Sequence, residues 1–381
     1  MIALTGQGSG TTLSIATLPV WQGVQARPGI RASQPFSLGF AGPGPIRQTT
    51  APEIVAAVLD GYADESYTFL TKPPGSSAWA DSLGDSKIEA VLRHCGGKRP
   101  GSILEIGAGS AYVAERLIAR FDGPAYTIVD PAVRAAPHPV RLVRDYFPAA
   151  DLAGERFDLI IGFNCLEHVP DPVAVLRAAG RCLAPGGAVL MSYPDVESGL
   201  ADGDLNILMH EHLTYFTEQS SRWAAAAAGL SVAALERQDG GIVAVLEPAV
   251  PPPPADLVEE PLIRRAGGSL QALLDGCGSA IRACLDGGGA IGFHGATNGL
   301  NSFLALTGLG DHPAIRVYDG DDSKVGMFLP ACAAPILPSR DPSYPANDRV
   351  YVSAVTFLPA ITRFAAQCHR LAPERLRPLT A

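Results

Sequence analysis

The residues best able to do chemistry lie at a few points of the chain. Leu104-Glu105-Ile106-Gly107-Ala108-Gly109-Ser110 puts a carboxylate two residues before the first of two closely spaced glycines. Glycines in such a place let the backbone turn sharply and approach a ligand. Asp130, Asp145 and Asn164 each follow a short apolar run, and His210-Glu211-His212 comes later. A carboxylate at a strand end beside a glycine turn can accept hydrogen bonds from ribose hydroxyls. Two cofactor classes compete for that turn. A dinucleotide calls for G-x-G-x-x-G with pyrophosphate at the helix N-terminus. Here the third glycine is absent, and Glu105 would repel a pyrophosphate while suiting a ligand with an ammonium and a sulfonium. An ordinary strand-to-helix turn with a capping aspartate is the bland alternative.

His210-Glu211-His212 has three readings. As metal ligands, the two histidines share a face only in an extended segment, and zinc would need a third ligand. The H-E-x-x-H spacing of a zinc protease helix is absent, so no metal ligand set is assigned. As structural residues, they are buried or surface histidines beside a capping glutamate. As catalysts, a histidine with a neighbouring carboxylate is a general base, its tautomer fixed and its basicity raised.

These groups need elements to position them. The spacing predicts short strands over 103–106, 125–129, 140–143, 157–162 and 188–192, with helices through 121 and from 171 to 183 between them. Such alternation means a parallel sheet covered on both faces. A helix over 82–95 carries Ile88, Val91 and Leu92 on one face. Residues 1–50 read as loop-rich or weakly β, and 51–59 as a short helix. After the Pro251–Pro254 run a long helix is expected from 255 to 285. Strands at 290–294, 316–318 and 349–352, with a turn at Gly295–Gly299, form a second α/β unit. The expected organisation is an N-terminal segment (1–80), a cofactor-binding domain (81–250) and a C-terminal α/β domain (251–381).

The chain has 381 residues, 47% hydrophobic and 18% charged, with net charge −9. It can bury a sizeable core, and its acidity argues against a nucleic-acid or anionic-membrane surface. No apolar run has the roughly 20 residues that span a bilayer. Seven cysteines without a CxxC pair suggest free thiols in a reducing cytoplasm.

The motifs together resemble the class I S-adenosylmethionine (SAM)-dependent methyltransferases. The matching residues are LEIGAGSA (104–111), Asp130, Asp145-Tyr146, FNCLEHVPDP (163–172) and LAPGGAVLMS (183–192). HEHLTYF (210–216), GFHGATNGLNSFL (292–304), VYDGDDSKVGMFLPACAAPI (317–336) and VYVSAV (350–355) resemble the narrower family of nucleotide-sugar C-methyltransferases of deoxysugar biosynthesis. The resemblance implies a Rossmann-like methyltransferase sheet, SAM as cofactor and a nucleotide-linked 4-keto-deoxysugar as acceptor. Glu105, Gly107, Gly109, Asp130, Asp145, Tyr146 and Asn164 are then expected to hold the cofactor. His212 matches the family's base, with Glu211 beside it and His168 as a second active-site histidine. Tyr62 or Tyr67 matches a tyrosine reaching in from the N-terminal segment. His210, Tyr215, Asn298 and Lys324 are expected on the acceptor side.

Departures from the family gather on that acceptor side. The N-terminal cysteine-based zinc site is missing, since no cysteine precedes Cys95. Met209 and Asn298 stand where tyrosine and lysine are common. Two alternatives stay open: an O- or N-methyltransferase acting on another small molecule, and a catalytically idle protein binding a nucleotide at Gly295–Gly299 and Asp319. A homo-oligomer is compatible with the 255–285 helix.

Overall fold

A computed structural model describes residues 2–6, 10–30, 32–40, 42–50, 52–53, 56, 75, 78–238, 240–249 and 256–381. Tyr62, Tyr67 and most of the expected 51–59 helix lie outside these. Contacts divide the chain into two compact units. The first comprises Met1–Gly39, Glu197–His210 and Glu260–Ala381, and the second Phe40–Val196 and Glu211–Glu259.

The first unit opens with β1 (Ile2–Thr5), β2 (Thr11–Pro19) and β3 (Ser33–Phe40), adjacent in that order. This region is more β-structured than the sequence reading held. The signal was period-two alternation: Thr11, Leu13 and Ile15 are buried on one face of β2.

The second unit contains β4 (Ile46–Gln48), β5 (Ser102–Ile106), β6 (Ala125–Val129), β7 (Arg141–Val143), β8 (Phe157–Phe163), β9 (Leu183–Pro194), β10 (Thr214–Tyr215), β11 (Leu230–Gln238) and β12 (Gly241–Pro248). Its main sheet has the order β11-β12-β9-β8-β5-β6-β7. β5 to β9 run parallel, and the β11–β12 hairpin adds two antiparallel strands beyond the five expected. Strand order reverses between β5 and β8, so a crevice opens at their C-terminal ends, where open α/β sheets bind ligands.

Both faces are covered. Ile103, Leu159 and Ile161 pack against Ile88 and Val91 of the 78–95 helix and Val113, Leu117 and Phe121 of the 112–121 helix. Leu104 and Ile160 face the other way, onto Val175, Leu176 and Ala179 of the 172–181 helix and Ala224 and Ala225 of the 218–227 helix. The 172–181 helix starts where Asp171 accepts from the Ala174 N–H and Pro172 occupies the first turn. A capping box of Thr217 and Ser220 starts the next.

The first unit closes with β13 (Ile291–His294), β14 (Ile315–Asp319), β15 (Ile336–Pro338), β16 (Arg349–Val352) and β17 (Leu376–Pro378). They form a second parallel sheet ordered β15-β14-β13-β16-β17. The long helix expected over 255–285 begins at Glu260 and is interrupted. A π-helical turn at Leu273–Cys277 separates the helices Glu260–Ala272 and Gly278–Asp286. Leu270, Leu273, Ile281 and Leu285 along this stretch are all buried.

Candidate active site

The crevice of the second unit is built on one close approach. Gly107 follows β5 with φ +67°, and a Cβ there would stand 2.6 Å from Cys165 Cβ. The loops after β5 and β8 are therefore pressed together at a point only glycine permits. Asn164, next to Cys165, is itself left-handed at φ +51°. Such a conformation persists only where its surroundings enforce it. Its backbone N–H is held by the Ser192 carbonyl at 2.8 Å.

Asp130, buried at the end of β6, braces the glycine turn. The Gly109 N–H donates to its Oδ2 at 2.9 Å, and the Ala132 and Val133 N–H groups donate to Oδ1 at 2.6 and 2.9 Å. A carboxylate accepts about four hydrogen bonds, so Oδ2 keeps room for a hydroxyl. Among the described residues no cation pairs with Asp130. A ribose hydroxyl fits that remaining acceptor position. Asp145 and Tyr146 are exposed after β7, where the Tyr146 N–H donates to Asp145 Oδ1.

Glu105 departs from its expected part. It is fully buried, and the Tyr126 hydroxyl donates to its Oε2 at 2.7 Å. Burial, only partly offset by that hydrogen bond, pushes its pKa up to about 8. It is therefore mostly a neutral acid near pH 7, and electrostatic repulsion of a pyrophosphate does not follow from it.

A second cluster lies just beyond Cys165. A short 3-10 turn, Leu166–His168, sets Glu167 and His168 beside His212. The His168 and His212 rings meet edge to face, 4.9 Å apart, and one ligand atom from each of Glu167, His168 and His212 lies within 4.8 Å of the others. The Leu213 N–H donates to the Glu167 carbonyl at 2.7 Å, tying the two segments together. His168 Nδ1 donates to the Glu211 carbonyl at 2.9 Å. Burial drives the His212 pKa well below its ordinary value, and His168 adds to the effect. Burial likewise raises the Glu167 pKa. Glu211 and Tyr215 are buried beside this cluster, the Tyr215 ring centroid 6.3 Å from that of His212.

The other sequence-selected residues belong to the first unit. His210 packs edge-on against Phe36. Asn298 Nδ2 donates to the Leu208 carbonyl at 3.0 Å, and Lys324 Nζ pairs with Asp319 Oδ2 at 3.0 Å. Among the described residues, the group whose ligand atoms lie close enough to share an ion is Glu167, His168 and His212, not the His210 and His212 pair weighed from sequence. Three contributors were missed. Glu167 stood inside the quoted LEHV motif. Tyr126 alternates inward on β6. Lys87 left no signal on its helix, yet burial lowers its pKa while Glu167, Cys165 and Glu105 oppose that shift, and its Nζ lies 5.4 Å from the centroid of Phe163.

Residues 82–235 match the profile of a protein family described as a methyltransferase domain. The C-methyltransferase NovU of Streptomyces niveus is 27% identical over 196 residues, covering 47% of this chain and 46% of that protein. A ubiquinone biosynthesis O-methyltransferase of Xanthomonas oryzae pv. oryzae (strain PXO99A) is 35% identical over 105 residues, 24% of this chain and 41% of its own. The chain thus spans less than half the length of either curated relative. The structure of Burkholderia thailandensis 1,6-didemethyltoxoflavin-N1-methyltransferase, solved with 1,6-didemethyltoxoflavin and S-adenosylhomocysteine, is 23% identical over 58% of this chain and 99% of that chain, at a TM-score of 0.40. The profile match, laid over a parallel sheet whose order reverses beside a glycine turn, identifies residues 82–235 as a class I, SAM-dependent methyltransferase domain.

Proposed function

We propose that this chain transfers the methyl group of SAM to carbon beside a carbonyl in a small acceptor, most simply a nucleotide-linked 4-keto-deoxysugar. The observation that carries the reading is the pairing of His168 with His212, rings 4.9 Å apart, one loop away from the Gly107–Cys165 contact and Asp130. The partial likeness to a C-methyltransferase supports it.

Asp130, with an acceptor position left on Oδ2, would hold the ribose of the cofactor. Bound SAM supplies an electrophilic methyl group whose departure leaves a neutral thioether. His212 is held neutral by burial, so its lone pair is available at neutral pH. It removes the proton alpha to the carbonyl, and the C–H electron pair passes into an enolate. With SAM bound, the enolate carbon would take its methyl group, the S–CH3 electron pair remaining on sulfur. The Nδ1–H of His168, fixed on the Glu211 carbonyl, orients that ring beside His212. Holding acceptor and donor in line supplies proximity.

The test is solvent exchange. A 4-keto-sugar nucleotide incubated with the protein in D2O, without SAM, should gain deuterium at the alpha carbon, and His212→Ala should abolish this. With methyl-labelled SAM the label should appear on that carbon. A label on oxygen or nitrogen without exchange would establish the other acceptor chemistry.

A further inference from the structure

We propose that Glu167, His168 and His212 form a binding site for a divalent ion of the zinc class. Two imidazoles and one carboxylate present ligand atoms all within 4.8 Å of one another. A tetrahedral zinc ion sets its ligand atoms about 3.4 Å apart, given bonds of about 2.0–2.2 Å. The group needs to close by roughly an ångström, within reach of side-chain rotation.

The surroundings favour an ion. Glu167 is only 2% exposed, and its Oε2 is buried without a hydrogen-bond partner. An unsatisfied buried acceptor is costly, and a cation there would satisfy it. Its other oxygen, Oε1, accepts from Asn164 Nδ2 at 3.4 Å and lies 3.8 Å from His168 Nε2. His168 commits Nδ1 to the Glu211 carbonyl, so Nε2 is the nitrogen turned to the carboxylate. Metal-bound histidines place their second nitrogen in that way. Two nitrogens and one oxygen suit zinc and its neighbours in the first transition row, whereas magnesium and calcium call for oxygen.

An ion on His212 takes the lone pair that proton abstraction would use. Metal binding and enolate formation therefore exclude each other at this residue. Only this last consequence rests on the proposed function.

The test uses Co2+ alone as the probe on the purified full chain. Visible d–d absorption should saturate at one equivalent and be displaced by Zn2+. Glu167→Gln and His168→Ala should each weaken Co2+ binding at least ~10-fold, read in variants whose circular dichroism matches that of the wild type. No saturable absorption, or the same affinity in both variants, would overturn the proposal. Should a variant lose its fold, X-ray absorption at the zinc edge of the wild type decides. Nitrogen and oxygen ligation with imidazole scattering supports the site, and sulfur in the shell overturns it. Zn2+ should also slow alpha-proton exchange at least ~10-fold, reversibly by chelator. A wild type that binds Co2+ as described but not SAM would sink the methyltransferase reading and leave the metal site standing.

Discussion

The two parallel sheets use the same device at their carboxyl edges, with different results. In each, a glycine-containing turn after one strand is braced by an aspartate closing the next. The Gly109 N–H donates to Asp130 Oδ2 at 2.9 Å, and the Ala296 N–H donates to Asp319 Oδ2 at 2.7 Å. The aspartates then part company. Asp319 carries Lys324 at 3.0 Å, and a Cβ on Gly295 would meet Ala354 and Ser353 at 2.9 Å. Asp130 has no cationic partner among the described residues. One brace is internally neutralised and the other keeps an unneutralised acceptor. A strand-end aspartate beside a glycine turn therefore marks a ligand site only when its charge is not already spent inside the protein.

The sharpest way to break this contrast is substitution of the two braces. Asp130→Ala should weaken SAM binding about 100-fold, since hydrogen bonds to a charged group contribute about 1.5–3 kcal/mol and the turn loosens as well. Asp319→Ala should leave SAM affinity unchanged in calorimetric titration. Equal losses would dissolve the distinction.

Two glycines separate conformation from crowding. Gly107 and Gly308 share φ +67°, but a Cβ on Gly308 meets nothing within 4 Å while one on Gly107 strikes Cys165. Chemical denaturation should show Gly308→Ala costing about 1–2 kcal/mol of strain. Gly107→Ala should cost a further ~1–3 kcal/mol for overpacking.

pH sharpens the comparison, because the strand ends titrate in opposite senses. Glu105 holds its proton to about pH 8 when folded and releases it near 4.5 when unfolded. Its contribution is full below 4.5 and is lost as pH rises through 8. His294, at the end of β13, drops from 6.5 to about 4 through burial, although Asp319 opposes the shift. Its contribution is full above 6.5 and is lost as pH falls through 4. Thermal melts across pH should show Glu105→Gln flattening the alkaline limb and His294→Gln flattening the acid limb. The smallest effect is expected from Lys324→Met. Its ion pair is partly exposed, and its loss should cost under ~1 kcal/mol in the same melts.

The glycine turn and the strand ends of the crevice were legible because their signals are local. LEIGAGSA, Asp130 and FNCLEHVPDP each compress a strand end, a turn and a ligand group into a few residues. The parallel strands of the main sheet were legible too, as short apolar runs between turn residues. β2 was harder to see, because its buried face begins with the polar Thr11 and the alternation breaks after Ile15. The Glu167–His168–His212 cluster was not legible as a unit. His212 lies 44 positions from His168, and only the loop joining β8 to its helix, folded against the segment before β10, brings them together. The charge of Glu105 was misjudged for a related reason. Sequence shows a carboxyl group, while its ionisation depends on burial and on Tyr126, which arrives from the adjacent strand.

Helix 260–272 has one consequence for how the protein is made. Thr11 on β2 bonds to Glu260, 249 residues further along, and Arg264 reaches back to the Gly6 carbonyl. At about 5–20 residues per second, synthesis reaches that helix roughly 12–50 s after β2. During that interval the methyltransferase domain can complete its own sheet. Leu13, which lies against Gly267 of that helix, meanwhile waits without it, a window in which a chaperone, rather than the rest of the chain, would be its cover.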